Sequence, residues 1–145
     1  MNTPTRSGVT TGSRKAILVV GGDTVMQTGL AAIINRAPDF VVSGRAGNAA
    51  KALTAVAALR PDVVVVNVLL DGSRGLDTIR LLRSQYPALP IIASVHDEHL
   101  LASQAMKIGA SGFVMDEDFV GSLRRALAKV KTLPQPKIRP RRNRS

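Results

Sequence analysis

An aliphatic run from Pro61 to Val66 ends on Asn67, and that residue sets the chemistry open to the chain. A buried valine strand that stops at a polar residue is how an open parallel sheet delivers a side chain to the crevice beyond its carboxyl edge. The surrounding pattern leads one to expect a carboxylate there. An amide is a poor nucleophile and forms no acyl phosphate. The same logic places Gly21, Gly22 and Asp23 after the first strand-like run, Ser94 at the end of the fourth and Asp116 after the fifth. These positions together offer one amide, one hydroxyl, two separated acids and two glycines without side chains.

Bland explanations account for the neighbouring candidates. Asp23 and Asp116 could pair around a metal, but two carboxylates without further ligands fall short of the oxygen-rich shell a hard cation takes. N-capping and loop solvation explain both, and no metal or cofactor is expected. Gly21-Gly22 before a helix could attract an anion through bare amides. The chain then reads TVMQTG, which meets neither G-x-G-x-x-G nor the P-loop pattern. His96 and His99, in VHDEH, read as solvated, with pH sensing open to them because histidine titrates near neutrality. No catalytic dyad is apparent, so no enzymatic activity is expected.

The elements that must position these residues follow a strand-helix rhythm, the signature of a parallel sheet covered on both faces. Strands are predicted at Ala16–Val20, Phe40–Gly44, Asp62–Asn67, Pro90–Ser94 and Gly112–Met115. Helices are predicted at Thr24–Arg36, Ala49–Leu59, Leu76–Gln85, Leu100–Ile108 and Phe119–Val130. Asp23 precedes the first helix as an N-cap, and Leu30, Ile33 and Ile34 fall on one face of it. In the last helix Phe119, Leu123, Leu127 and Val130 recur at helical spacing, with Arg124, Arg125 and Lys129 facing elsewhere.

The 145 residues support one domain with a real core. The Thr/Ser/Gly-rich segment 1–14 reads as a flexible leader, 15–130 as the folded unit, and 131–145 as a disordered basic tail with three prolines. The chain has no cysteine, which excludes disulfides and thiolate metal sites. No stretch approaches a membrane span or a signal-peptide core, so a soluble cytoplasmic protein is expected. The net charge of +10 is carried by the ends: three cations and no acid before Ala16, six cations and no acid from Lys131 onward. Eleven cations and ten acids lie between, so the folded part is nearly neutral.

The rhythm, together with RPDVVVVNVLLDGSRGLDTIRLLR, PIIASVHDE and IGASGFVMDE, resembles the receiver domain of bacterial two-component response regulators. It is most similar to receivers of LuxR-type transcriptional regulators, which share the GASGF-like turn and a histidine after the fourth strand. The resemblance implies an α/β, doubly wound, flavodoxin-like five-stranded parallel sheet with strand order 2-1-3-4-5. It also implies roles: an acid pair for Mg2+ falls on Gly21 and Gly22, the phosphoacceptor on Asn67, a phosphate-binding hydroxyl on Ser94 and a pairing lysine on Asp116. Only Ser94 matches. The metal, the nucleophile and the counter-charge are lost together, the pattern of an atypical, phosphorylation-independent receiver. Asp71 and Asp77 as substitute acceptors are disfavoured, since the first belongs to a DGSRG turn and the second to a helix's first turn, where acids suit the dipole.

The resemblance further implies a partner or dimer face on the fourth helix, fifth strand and fifth helix. Met106, Lys107, Phe113, Arg124 and Arg125 are the candidates for it, and the expected partner is a protein, a second copy of the chain included. In LuxR-type proteins a linker at this point leads to a DNA-binding helix-turn-helix, and this sequence ends where one would begin. Lys137, Arg139, Arg141, Arg142 and Arg144 form a possible DNA-binding arm by counterion release; the alternative is a solvated linker.

Overall fold

The computed structural model describes residues 14–68, 74–95, 99–115 and 119–129, with His99 and Met115 described by their backbone alone. Strands and helices alternate: β1 (Lys15–Val20), α1 (Thr24–Arg36), β2 (Phe40–Ala46), α2 (Ala49–Leu59), β3 (Val63–Asn67), α3 (Arg74–Gln85), β4 (Ile91–Val95), α4 (His99–Lys107), β5 (Gly112–Met115) and α5 (Phe119–Lys129). The strands pair in parallel in the order β2-β1-β3-β4-β5. The order reverses between β1 and β3, which fixes the crevice at their carboxyl ends.

β3 is buried on both faces because successive side chains alternate. Val64 and Val66 join Leu18, Val20, Ile79, Leu82 and Ile91 beneath α2, α3 and α4. Val63 and Val65 join Ile17, Val19, Ile34, Phe40 and Leu123 beneath α1 and α5. Each such side chain contributes about 1.5–3 kcal/mol by leaving water, so the sheet is a stiff platform for whatever its ends carry.

The expected elements all form, with shifted ends. β2 runs two residues further, to Ala46, and α3 starts two residues earlier, at Arg74. Asp62 precedes β3 because its Oδ2 accepts from Ala16 N at 2.7 Å while its own N donates to Ala16 O at 2.8 Å, clamping two strand starts. One expectation about facing is wrong. Ile34 is fully buried and Leu30 half-buried, but Ile33 is 41% exposed. The inward face of α1 is instead Gln27, Ala31 and Ile34.

The GASGF turn before β5 has a structural partner that sequence spacing does not suggest. Arg83, near the end of α3, donates from Nε to Gly109 O at 2.8 Å and from Nη2 to Ser111 Oγ at 3.1 Å. Its Nη1 donates to the carbonyls of Tyr86, Pro87 and Leu89 at 2.7–3.1 Å. Ser111 Oγ also accepts from Ile91 N, at 3.1 Å. One half-buried guanidinium thus ties α3, the start of β4 and the start of β5 together, and burial lowers its pKa. Gly109, at φ +125, leaves room for it, since a Cβ there would stand 2.8 Å from Arg83 Cγ.

Candidate functional site at the carboxyl edge of the sheet

β1 and β3 lie side by side with Val20 opposite Val66, so the chain leaving β1 turns over Asn67. The turn passes through Gly21 and Gly22 at φ +87 and +80, a region that side chains enter only at a cost. Its carbonyls find their donors in side-chain amides. Asn67 Nδ2 donates to Gly21 O at 2.9 Å. Gln27 Nε2, one turn into α1, donates to Gly21 O at 3.4 Å and Gly22 O at 3.3 Å. Asn67 and Gln27 are 4% and 9% exposed, so these are buried polar groups whose pairing the fold requires.

The crevice is therefore amide facing carbonyl, and it is tight. A Cβ at Gly21 would meet Asn67 O at 3.3 Å, and one at Gly22 would meet Met26 Sδ at 2.6 Å. From below, Gly75 of α3 approaches so closely that a Cβ would fall 2.5 Å from Asn67 O. The acid of the turn, Asp23, accepts from Met26 N at 2.8 Å as the N-cap of α1, the role its position indicates. Ser94 is the register partner of Asn67 on β4, half-buried, and its carbonyl accepts from Val68 N at 2.8 Å.

Gly21, Gly22, Asp23, Asn67 and Ser94 thus gather at one edge, as their strand-end positions imply. Asp116, Asp71, His96 and the tail residues Lys137, Arg139, Arg141, Arg142 and Arg144 lie outside the described residues. Asp77 sits in the first turn of α3, paired with Arg80 at 3.2 Å. Gln27, Met26 and Gly75 are site residues that sequence reasoning missed. The described residues do not fit a hard divalent cation: they offer it one carboxylate, already capping α1, and among them no three of His, Cys, Asp and Glu converge.

The candidate face of α4, β5 and α5 is only partly assembled. Leu100 (67%), Met106 (41%) and Phe113 (40%) are exposed, as are Lys107 and Arg125. Arg124 departs from the group. Its Nε and Nη2 donate to Asp39 Oδ2 and Oδ1, both at 2.8 Å, and its guanidinium lies 5.9 Å from the Phe40 ring centre. Asp39 precedes β2, so the pair draws Arg124 to the flank where α5 meets α1. The bidentate bond holds the Asp39 carboxyl below its usual pKa. A cleft of about 400 Å3 opens there, at the amino edge of the sheet, between Lys15, Phe40, Asp62, Arg124 and Leu127.

A doubly wound sheet whose switch-point crevice is formed by the ends of β1 and β3 defines a receiver-type α/β domain. The response regulator receiver domain family matches residues 17–120, and the chain belongs to that family. It is 33% identical over 117 residues to the DNA-binding transcriptional activator DevR/DosR of Mycobacterium tuberculosis, covering 79% of this chain and 53% of that protein. With the nitrate/nitrite response regulator protein NarL of Escherichia coli it shares 29% over 119 residues, 77% of this chain and 54% of that one. A protein-glutamate methylesterase/protein-glutamine glutaminase of Nocardioides sp. is 31% identical over 126 residues, 85% of this chain but 34% of the enzyme. The chain thus spans between a third and about half the length of these relatives. Among solved structures, a LuxR-family two-component response regulator from Aurantimonas sp. superposes with TM-score 0.72 at 26% identity, covering 83% of this chain and 90% of that one. Among the described residues no helix is long and apolar enough to cross a membrane.

Proposed function

We propose that this receiver domain regulates by protein contact and does so without accepting a phosphoryl group. The observation that carries the reading is the bond from Asn67 Nδ2 to Gly21 O. At the strand end where the family resemblance puts a nucleophilic carboxylate stands a buried amide whose N–H holds the preceding turn. The two glycines at the acid-pair positions are required by that turn's backbone, so the substitutions form one consistent arrangement. In this reading the regulatory unit is segment 15–130, flanked by a leader and a basic tail, and it is not an enzyme. The exposed apolar side chains Leu100, Met106 and Phe113 on α4 and β5 offer the contact surface for a signalling or transcription component. The test is incubation with a small-molecule phosphodonor and Mg2+ followed by intact mass. An unchanged mass is expected; stoichiometric addition of one phosphate overturns the reading.

A second reading rests on the six cations and no acid from Lys131 onward, and on kinship with a protein whose name makes it a DNA-binding transcriptional activator. The tail would then be an arm on duplex DNA. Replacing Lys137, Arg139, Arg141, Arg142 and Arg144 by Gln should abolish binding to generic duplex, and binding before replacement should fall steeply with salt. Salt-insensitive or absent binding removes this reading.

A further inference from the structure

Helix α1 is built the wrong way round for a helix that ends in water. Its buried positions are Gln27, Ala31 and Ile34. Its opposite side carries Val25 at 80% exposure and Ile33 at 41%, with exposed Gly29 and Ala32 between them. A surface helix ordinarily turns charge outward, yet α1 has a single charged residue, Arg36, at its last position. At about 100° per residue, Val25, Gly29, Ile33 and Arg36 all fall within roughly 40° of one line along the helix, facing away from the sheet.

Gly29 is a second, separate observation. It sits mid-helix without a positive φ, and a Cβ there would meet nothing within 4 Å. Glycine at such a position costs about 0.8–1 kcal/mol relative to alanine. Nothing inside the chain needs the missing Cβ, whereas a backbone approaching from outside would.

We propose that α1 is the contact by which two copies of this chain associate, with the two helices antiparallel and crossing at Gly29. The face is complementary to itself. A two-fold axis through Gly29 pairs each residue with the one equally far on the other side, so Val25 meets Ile33 of the second copy and Arg36 reaches the turn holding its Asp23. The two Arg36 side chains then stand about 20 Å apart, from a rise of 1.5 Å per residue, beyond the screening length at physiological salt. A parallel arrangement would set Arg36 against Arg36. One helix of 13 residues presents less than the roughly 800 Å2 per partner of a standard interface, so the association is reversible and concentration-dependent. The proposal names one partner for the contact-based reading above and is tested apart from it.

The experiment uses the full chain, which has no cysteine of its own. Three single-cysteine variants, Gly29→Cys, Val25→Cys and Ile33→Cys, are oxidised under native conditions. Gly29→Cys is expected to cross-link to itself, and Val25→Cys to cross-link with Ile33→Cys on mixing. Val25→Cys alone should not, since its two copies would lie about 12 Å apart, too far for a disulfide. Sedimentation equilibrium of the cysteine-free chain should show a monomer–dimer equilibrium weakened at least about tenfold by Val25→Asp or Gly29→Gln. Both positions are open to solvent, and unchanged circular dichroism and thermal midpoint show that the variants fold. A monomer at every concentration, or a dimer that these changes leave intact and Met106→Glu or Phe113→Glu dissolves, overturns the proposal. Neither result bears on phosphoryl acceptance, which the mass measurement decides.

Discussion

Asn67 and Gly21 are 46 positions apart in the chain, and the side-chain amide of the first donates to the carbonyl of the second at 2.9 Å. Asn67→Asp replaces that donor with an oxygen facing an oxygen. The variant should lose about 1–3 kcal/mol in urea unfolding, the usual cost of leaving a buried polar group without its partner. It should also fail to acquire phosphate from a phosphodonor, because the carboxylate arrives without acids at positions 21 and 22.

Gly75 and Gly29 make opposite predictions from the same substitution. Alanine at 75 would place a Cβ 2.5 Å from the Asn67 carbonyl oxygen, so Gly75→Ala should destabilise by about 1–3 kcal/mol. Alanine at 29 meets open space in the monomer, so Gly29→Ala should stabilise by about 0.5–1 kcal/mol. Thermal midpoints of the two variants, measured at low protein concentration, read both.

Arg83→Met should cost about 2–4 kcal/mol, because it strands several carbonyls and Ser111 Oγ around α3, β4 and β5. Arg83→Lys should rescue little of this, since an ammonium cannot span the fork that a planar guanidinium fills. Denaturant midpoints of the two variants side by side test the point.

The Arg124–Asp39 pair predicts a pH dependence. The folded-state pKa of Asp39 lies below its unfolded value, so the pair stabilises above the unfolded value of about 3.9 and the contribution disappears as pH falls through the folded one. Both side chains are more than two-fifths exposed, which holds the gain to about 1 kcal/mol or less. Arg124→Leu should therefore lower stability slightly at pH 7 and leave it unchanged near pH 2, as urea midpoints at the two values would show.

Much of the fold was legible because the decisive signals are local. The run from Val63 to Val66 reads as a strand buried on both faces, and Asp23 reads as a cap from its place before TVMQ. The tight edge of the sheet was half legible. Gly21, Gly22 and Asn67 stand at strand ends, which position alone reveals. Gln27 was missed because a glutamine four residues into a helix looks like a solvated one; only the turn above it, with two carbonyls in need of donors, pulls it inside. That inward Gln27 also rotates α1 so that Ile34 enters the core and Ile33 leaves it, against the grouping that hydrophobicity suggests. Arg83 and Arg124 escaped for a related reason, since their partners, Gly109 and Asp39, lie 26 and 85 positions away.

The positive φ angles of Gly21 and Gly22 bear on descent as well as on structure. A lineage restoring acids at both positions would force two side chains into left-handed backbone, at roughly 1–2 kcal/mol each, and would have to rotate Met26 away from the second. Against a total stability of about 5–15 kcal/mol, neither step is free and neither acid is useful without the other. Reversion by single substitutions therefore runs uphill first, and the turn works as a ratchet that holds the domain to its present use.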